Sequence, residues 1–185
     1  MQKSPSRRSV LAASGVSLAS LGPAAAHAGA DSDREVAALV QRSADSNAAL
    51  LRGDIETYLT LVSLTDDFRL MSPFGGPPSK GTDYTPDRMA AMGRFFRNGT
   101  HAQELVQAWA ADGMVVLAVI ERSHVEVGGL PAQDWALRVT LVYRRDGEGK
   151  EWRLVHRHAD PLVAGISLEE SAALARRTSA APKGK

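Results

Sequence analysis

His156, His158 and Asp160 stand at alternating positions near the end of the chain. On a regular strand the period of two puts all three side chains on one face. Trp152 and Leu154 precede them in the same alternation, so that face is predicted to be buried. Two imidazoles beside a carboxylate can act as acid, base or anion-binding donors near neutral pH. His156, His158 and Asp160 are therefore the candidate catalytic residues. The same residue types ligate metals, but the run offers no committed fourth ligand, so no metal is expected. Nothing in the sequence calls for a cofactor. The predicted ligand-binding set is Tyr58, Leu59, Phe96, Trp152, Leu154, His156 and His158.

The elements that must position these residues are legible in outline. Ser32 to Leu51 reads as a helix, with Ser32 and Glu35 as a capping box and apolar residues at helical spacing. Gly53 suits its C-terminal cap, and Asp54 can open a second, short helix whose stripe is Ile55, Tyr58, Leu59 and Val62. Asp67 to Ser72 reads as a strand and Phe74 to Pro78 as a loop. Thr85-Pro86 starts a third helix, which Asn98-Gly99 is expected to end. Thr100 to Ala110 fits a strand, although Leu105, Val106 and Trp109 also fit a helix.

Long strands follow from Met114 to Val127, through Trp135 to Tyr143, and from Trp152 to His158. Gly128-Gly129 and the Asp146 to Gly149 run read as their turns. Ser167 and Glu170 make a second capping box before a short helix, and the tail from Thr178 is expected to fray. Helices first and hairpin-linked strands after is an α+β pattern. The expected architecture is a cone-shaped, curved antiparallel sheet wrapped around three N-terminal helices, open at one end as a pocket.

Composition narrows the function classes. The chain has 185 residues, 44% of them apolar and 23% charged, ordinary for a globular protein. With no cysteine there can be no disulfide, zinc thiolate or cysteine nucleophile. A net charge of +1 gives no footprint for nucleic acid.

The N-terminus reads as an address. Arg7-Arg8 heads a weakly apolar run from Val10 to Leu21, too short for a membrane span. Ala26-His27-Ala28 then offers an A-x-A cleavage site. This three-part plan is that of a twin-arginine (Tat) signal peptide. Residues 1–28 are assigned to it, 29–165 to one domain and 166–185 to a short helix with a flexible tail. The expected location is periplasmic or extracellular, with no membrane attachment after cleavage.

The segment from Leu137 to Gly147, followed by Trp152-Arg153-Leu154-Val155-His156-Arg157-His158, resembles the end of a SnoaL-like domain. That domain belongs to the ketosteroid-isomerase-like, nuclear-transport-factor-two-like superfamily. The Gly53-Asp54 turn also fits, and the resemblance spans roughly Asp33 to Leu162. It implies a cystatin-like roll. It does not carry over the isomerase triad. The base position falls on Ser72, beside Pro73, the tyrosine position near Ser46, and the second acid near Leu141. None of these can supply the ketosteroid-isomerase chemistry of base, phenol and protonated acid.

Two functions compete. One is an exported domain that binds a small apolar or carboxylate-bearing molecule, with weak acid/base activity of the isomerase or dehydratase kind. The other is a non-catalytic homo-oligomerisation module with a vestigial pocket. A homodimer is expected either way. Leu117, Val119 and Val125 alternate with Val116, Ala118 and Ile120, and only one of these apolar faces can cover the helices.

The leader yields a direct test. Arg7→Lys/Arg8→Lys conserves charge, so a purely electrostatic signal would survive it. We expect export to fail and cleavage after Ala28 to be lost, as read by fractionation and N-terminal sequencing. Normal yields of mature protein outside the cytoplasm would rule out the twin-arginine route.

Overall fold

The structure is a computed structural model and describes residues 23–145 and 150–179. Residues 1–22 of the 1–28 leader, the Asp146 to Gly149 turn and the tail beyond Ser179 fall outside that range. The first helix, α1 (Pro23–Arg52), is longer than the sequence pattern predicts. It runs through Ser32, so the Ser32–Glu35 capping box does not form. The alanine-rich stretch behind Pro23 has high helix propensity and carries the helix onward. Glu35 instead pairs with Arg145.

Leu39, Ser43, Ser46 and Ala49 form the buried stripe of α1. The helix stops at Gly53, whose φ of 81° is left-handed. There the Gly53 N–H donates to the Leu50 carbonyl and the Asp54 N–H to that of Ala49, a paired C-terminal cap. Asp54 then accepts from the Thr57 N–H and opens α2 (Ile55–Leu61), as its spacing predicts.

After β1 (Leu64–Met71), β2 (Ser79–Lys80) and a short 3-10 turn, Thr85 caps α3 (Pro86–Phe95). This helix ends at Phe95, before Asn98-Gly99. Those two residues lie inside β3 (Phe96–Ala111), where the pairing register shifts between Arg97 and Thr100. Asn98, at φ 54°, supplies the irregularity. The remaining strands are β4 (Met114–Val127), β5 (Gln133–Arg144) and β6 (Arg153–Pro161). The sequence reading of 100–110 as a strand therefore holds.

The six strands form one curved, unclosed sheet in the order β2-β1-β6-β5-β4-β3. Every neighbouring pair is antiparallel except β1 and β6, which run parallel. The expected sheet is thus antiparallel with one exception. Its inner face carries Phe68, Val115, Leu117, Val119, Val139 and Leu141 against α1. The outer face carries the half-buried Val116, Ala118 and Ile120, so both faces of β4 are apolar, as predicted.

A last helix, α4 (Leu168–Ser179), is capped by Ser167 and Glu170 in the reciprocal way the sequence predicts. It lies exposed. Among the described residues no helix is long and apolar enough to cross a membrane.

Two glycines with almost the same backbone separate strain from space. Gly53 has φ 81°, and a Cβ there would lie 2.7 Å from the Gly93 carbonyl oxygen. Gly129 has φ 83° and open space around the same point. We expect Gly129→Ala to lose about 1 kcal/mol from backbone strain alone. Gly53→Ala should lose roughly 3 kcal/mol or more, because a backbone clash is added. Urea denaturation of both variants checks this, and equal losses would contradict it.

Candidate functional site

A β-bulge decides which side chains of β6 face inward. Tyr143 on β5 pairs with Leu154, but Val142 pairs with His156, so Val155 is an extra residue in the ladder. Beyond it the alternation is inverted. Leu154 faces the core, and Arg157 and Ala159 follow it there, opposite Leu141 and Val139. His156, His158 and Asp160 point to the outer face, opposite Val142, Thr140 and Arg138. The prediction that the two histidines inherit the face of Leu154 is therefore overturned.

On the outer face His156 Nδ1 lies 3.0 Å from the Arg69 carbonyl. His158 Nε2 lies 3.6 Å from the Asp160 carboxylate, which also sits 4.0 Å from Arg138. These groups are half-exposed and away from the cavity. Among the described residues no cluster of three or more His, Asp or Glu can hold a metal.

Of the other predicted residues, Tyr58 and Leu154 do line an inner cavity. Leu59 does not. It is 52% exposed, because one helical step turns it away from Tyr58. Phe96 is buried in a separate cluster with Leu51, Val125 and Val127, near Trp135. Trp152 packs beneath the Arg145 guanidinium, 4.6 Å away, and its side chain does not line this cavity.

The inner cavity holds about 80 Å³ and lies between α1, α2, β1, β5 and β6. That is room for a few waters or a small molecule. Ser46 and Leu141, the positions reached by the rough isomerase comparison, both line it, whereas Ser72 does not. All three tyrosines of the chain, Tyr58, Tyr84 and Tyr143, converge on it with Arg42 and Arg157. Burial raises the pKa of each phenol, that of Tyr143 to about 12, so each hydroxyl keeps its proton. Among the described residues none of the three hydroxyls has a hydrogen-bond partner in the protein.

Arg157 is fixed by Glu121. Both guanidinium Nη atoms donate to the carboxylate at 2.8 Å, and Asn47 Nδ2 donates to the same group at 2.8 Å. Glu121 is 4% exposed. Burial opposes its charge, but Arg157 overcomes this and holds the pKa below the ordinary carboxylate range. Burial likewise opposes the charge of Arg157, and Glu121 raises its pKa regardless. Arg42 closes the opposite wall. It donates to the Trp152 carbonyl, lies over the Tyr143 ring and sits 3.5 Å from the exposed Glu151.

Reasoning from sequence missed Glu121, Arg157, Arg42, Tyr84 and Tyr143. One signal was available. Glu121 occupies the same alternation as Val115, Leu117, Val119 and Val125, and a carboxylate in a buried row demands a buried cation.

The pair carries stability. Glu121→Ala strands a buried guanidinium, and we expect a loss of about 3–5 kcal/mol in urea denaturation. The double change Glu121→Leu/Arg157→Met should recover most of it. Because the folded pKa of Glu121 lies below the unfolded one, its contribution is complete above about pH 4.3. It is lost as pH falls through the lower folded value. The acid limb of stability should therefore flatten in the double variant.

No protein-family model matches the sequence, and neither does any curated protein. Solved structures do match. A presumed dehydratase of the NTF2-like family from Streptomyces avermitilis is 20% identical, with TM-score 0.57 over 72% of this chain and 99% of that one. A ketosteroid isomerase-like protein from Erwinia carotovora is 16% identical, with TM-score 0.51 over 69% and 96%. The CamKII hub homology domain of Chlamydomonas reinhardtii is 17% identical, with TM-score 0.51 over 70% and 99%. Together with the helix-filled, curved six-stranded sheet, these likenesses give the chain the nuclear-transport-factor-two-like, ketosteroid-isomerase-like fold.

Proposed function

We propose that this chain is an exported binding domain that holds a small molecule in the cavity between its helices and its sheet. The observation that carries the reading is the convergence of all three tyrosines, with Arg42 and Arg157, on the lining of one cavity. A phenol that lines a cavity and has no partner in the protein is free to hydrogen-bond water or a ligand there, so this wall suits a polar occupant. Apolar side chains such as Leu70, Leu141 and Leu154 complete the lining. Export follows from the leader alone.

The reading is binding rather than acid/base catalysis. Burial holds the phenols protonated, and Glu121 is held ionised with both oxygens on Arg157. None of these groups exchanges a proton readily near neutral pH.

Ligand-observed NMR with a panel of acids, amides and alcohols of short chain length tests the proposal. We expect binding to wild type, and its loss in Leu141→Phe, which fills the cavity. A panel that binds neither protein, or binds both equally, would rule the cavity out.

A second reading, assembly, rests on the outer sheet face. Val116, Ala118 and Ile120 are flanked there by Val106 and Trp109, which are 59% and 56% exposed. An apolar surface of this kind favours a partner, and one of the similar structures is described as a hub homology domain. We expect a homodimer by light scattering at micromolar concentration, and a monomer for Trp109→Glu/Ile120→Glu. A wild-type monomer would refute the outer-face dimer.

A further inference from the structure

We infer that the occupant of the cavity is a small monoanion, a short-chain carboxylate held by the hydroxyls of Tyr58, Tyr84 and Tyr143 and by Arg157. This rests on the cavity being a ligand site and adds the chemical class. The first argument is the donor count. Each phenol brings an O–H that no described residue accepts, and Arg157 has N–H groups beyond the two spent on Glu121. On the other side of the balance, Ser43 and Ser46 already donate to carbonyls of α1. Asn47 spends its amide N–H on Glu121. The cationic donors of the wall are the two guanidinium groups. Among the described residues no carboxylate lines the cavity to meet them, and a carboxylate ligand brings two oxygens with about four lone-pair sites and no donor of its own.

The second argument is charge. Arg42 and Arg157 both line the cavity, and among the described residues no carboxylate does; Arg157 is neutralised by the buried Glu121, and Arg42 by a surface partner. Glu151 approaches Arg42 at 3.5 Å, but it is 65% exposed and its charge is shared with solvent. Arg157 acts electrostatically on all three phenols, so the donors and the charge share one locus. With its own partner screened by solvent, Arg42 can face a single negative charge in the cavity, which suits a monoanion. A dianion would be left half-compensated in a desolvated space.

The third argument is size. About 80 Å³ excludes a steroid and admits a few heavy atoms. The apolar part of the wall can cover a short alkyl tail. The ligand enters already ionised, and no proton needs to move.

Calorimetry with sodium propionate and its neutral isostere propanamide tests this, with Tyr58→Phe, Tyr84→Phe and Tyr143→Phe as variants. Each substitution removes one O–H and keeps the ring, so folding is preserved. We expect propionate to bind at least roughly ten-fold tighter than propanamide, and each variant to lose roughly ten-fold or more, the worth of one charge-assisted hydrogen bond. The double variant Glu121→Leu/Arg157→Met, folded by circular dichroism, should lose propionate selectivity altogether. If propanamide binds as well as propionate, the anion assignment is wrong and the ligand-site reading stands. If neither binds the folded wild type at millimolar concentration, the anion assignment is wrong, and the ligand-site reading is decided by the wider panel of acids, amides and alcohols.

Discussion

The Glu121–Arg157 ion pair is the constraint on which the interior depends. A carboxylate that is 4% exposed is tolerable only beside a cation with matched geometry, and the bidentate guanidinium supplies it. That requirement reaches back into the backbone. Arg157 faces inward only because Val155 bulges out of the ladder between β5 and β6. Without the bulge, two imidazoles would enter the core and the arginine would leave it. The pair also orders its surroundings. Asn47 is drawn from α1 to the carboxylate, and the tyrosines from α2, the segment before α3, and β5 gather around the guanidinium.

What could be read from the sequence was what is locally determined. Gly53-Asp54, Thr85-Pro86 and the Ser167–Glu170 box each set a helix end within a few residues, and all three behave as read. The strands of the C-terminal half were legible from alternation. The first turn of α1 was not, because a capping box is a possible helix start and an alanine-rich preceding run can pass through it. α3 ends three residues before the Asn98-Gly99 signal, since Asn-Gly marks a left-handed backbone and strands use one as readily as helix ends do.

The site failed to appear for a different reason. Alternation assigns faces only while the ladder is regular, and Val155 breaks it through partners far away in sequence. The Leu154 N–H is pinned to the Ser63 carbonyl, and Leu154 itself pairs with Leu64 on β1 and Tyr143 on β5. No window around residue 155 contains that information. Glu121 did contain it. A single acid in a row of inward valines and leucines stated that a cation must arrive, though not which one.

The parallel pairing of β1 with β6 carries a kinetic meaning. In the finished sheet β6 lies between β1 and β5, so β1 has no hydrogen-bonded route to the long hairpins until β6 is in place. Residues 64 to 71 must therefore wait for partners almost ninety positions later, Leu64 for Leu154 and Met71 for His158. Contacts of such separation pay their loop-closure entropy before any return, and they slow folding. The chain emerging from the ribosome can form its helices early. It cannot complete the sheet, or enclose the cavity, until synthesis has passed Pro161.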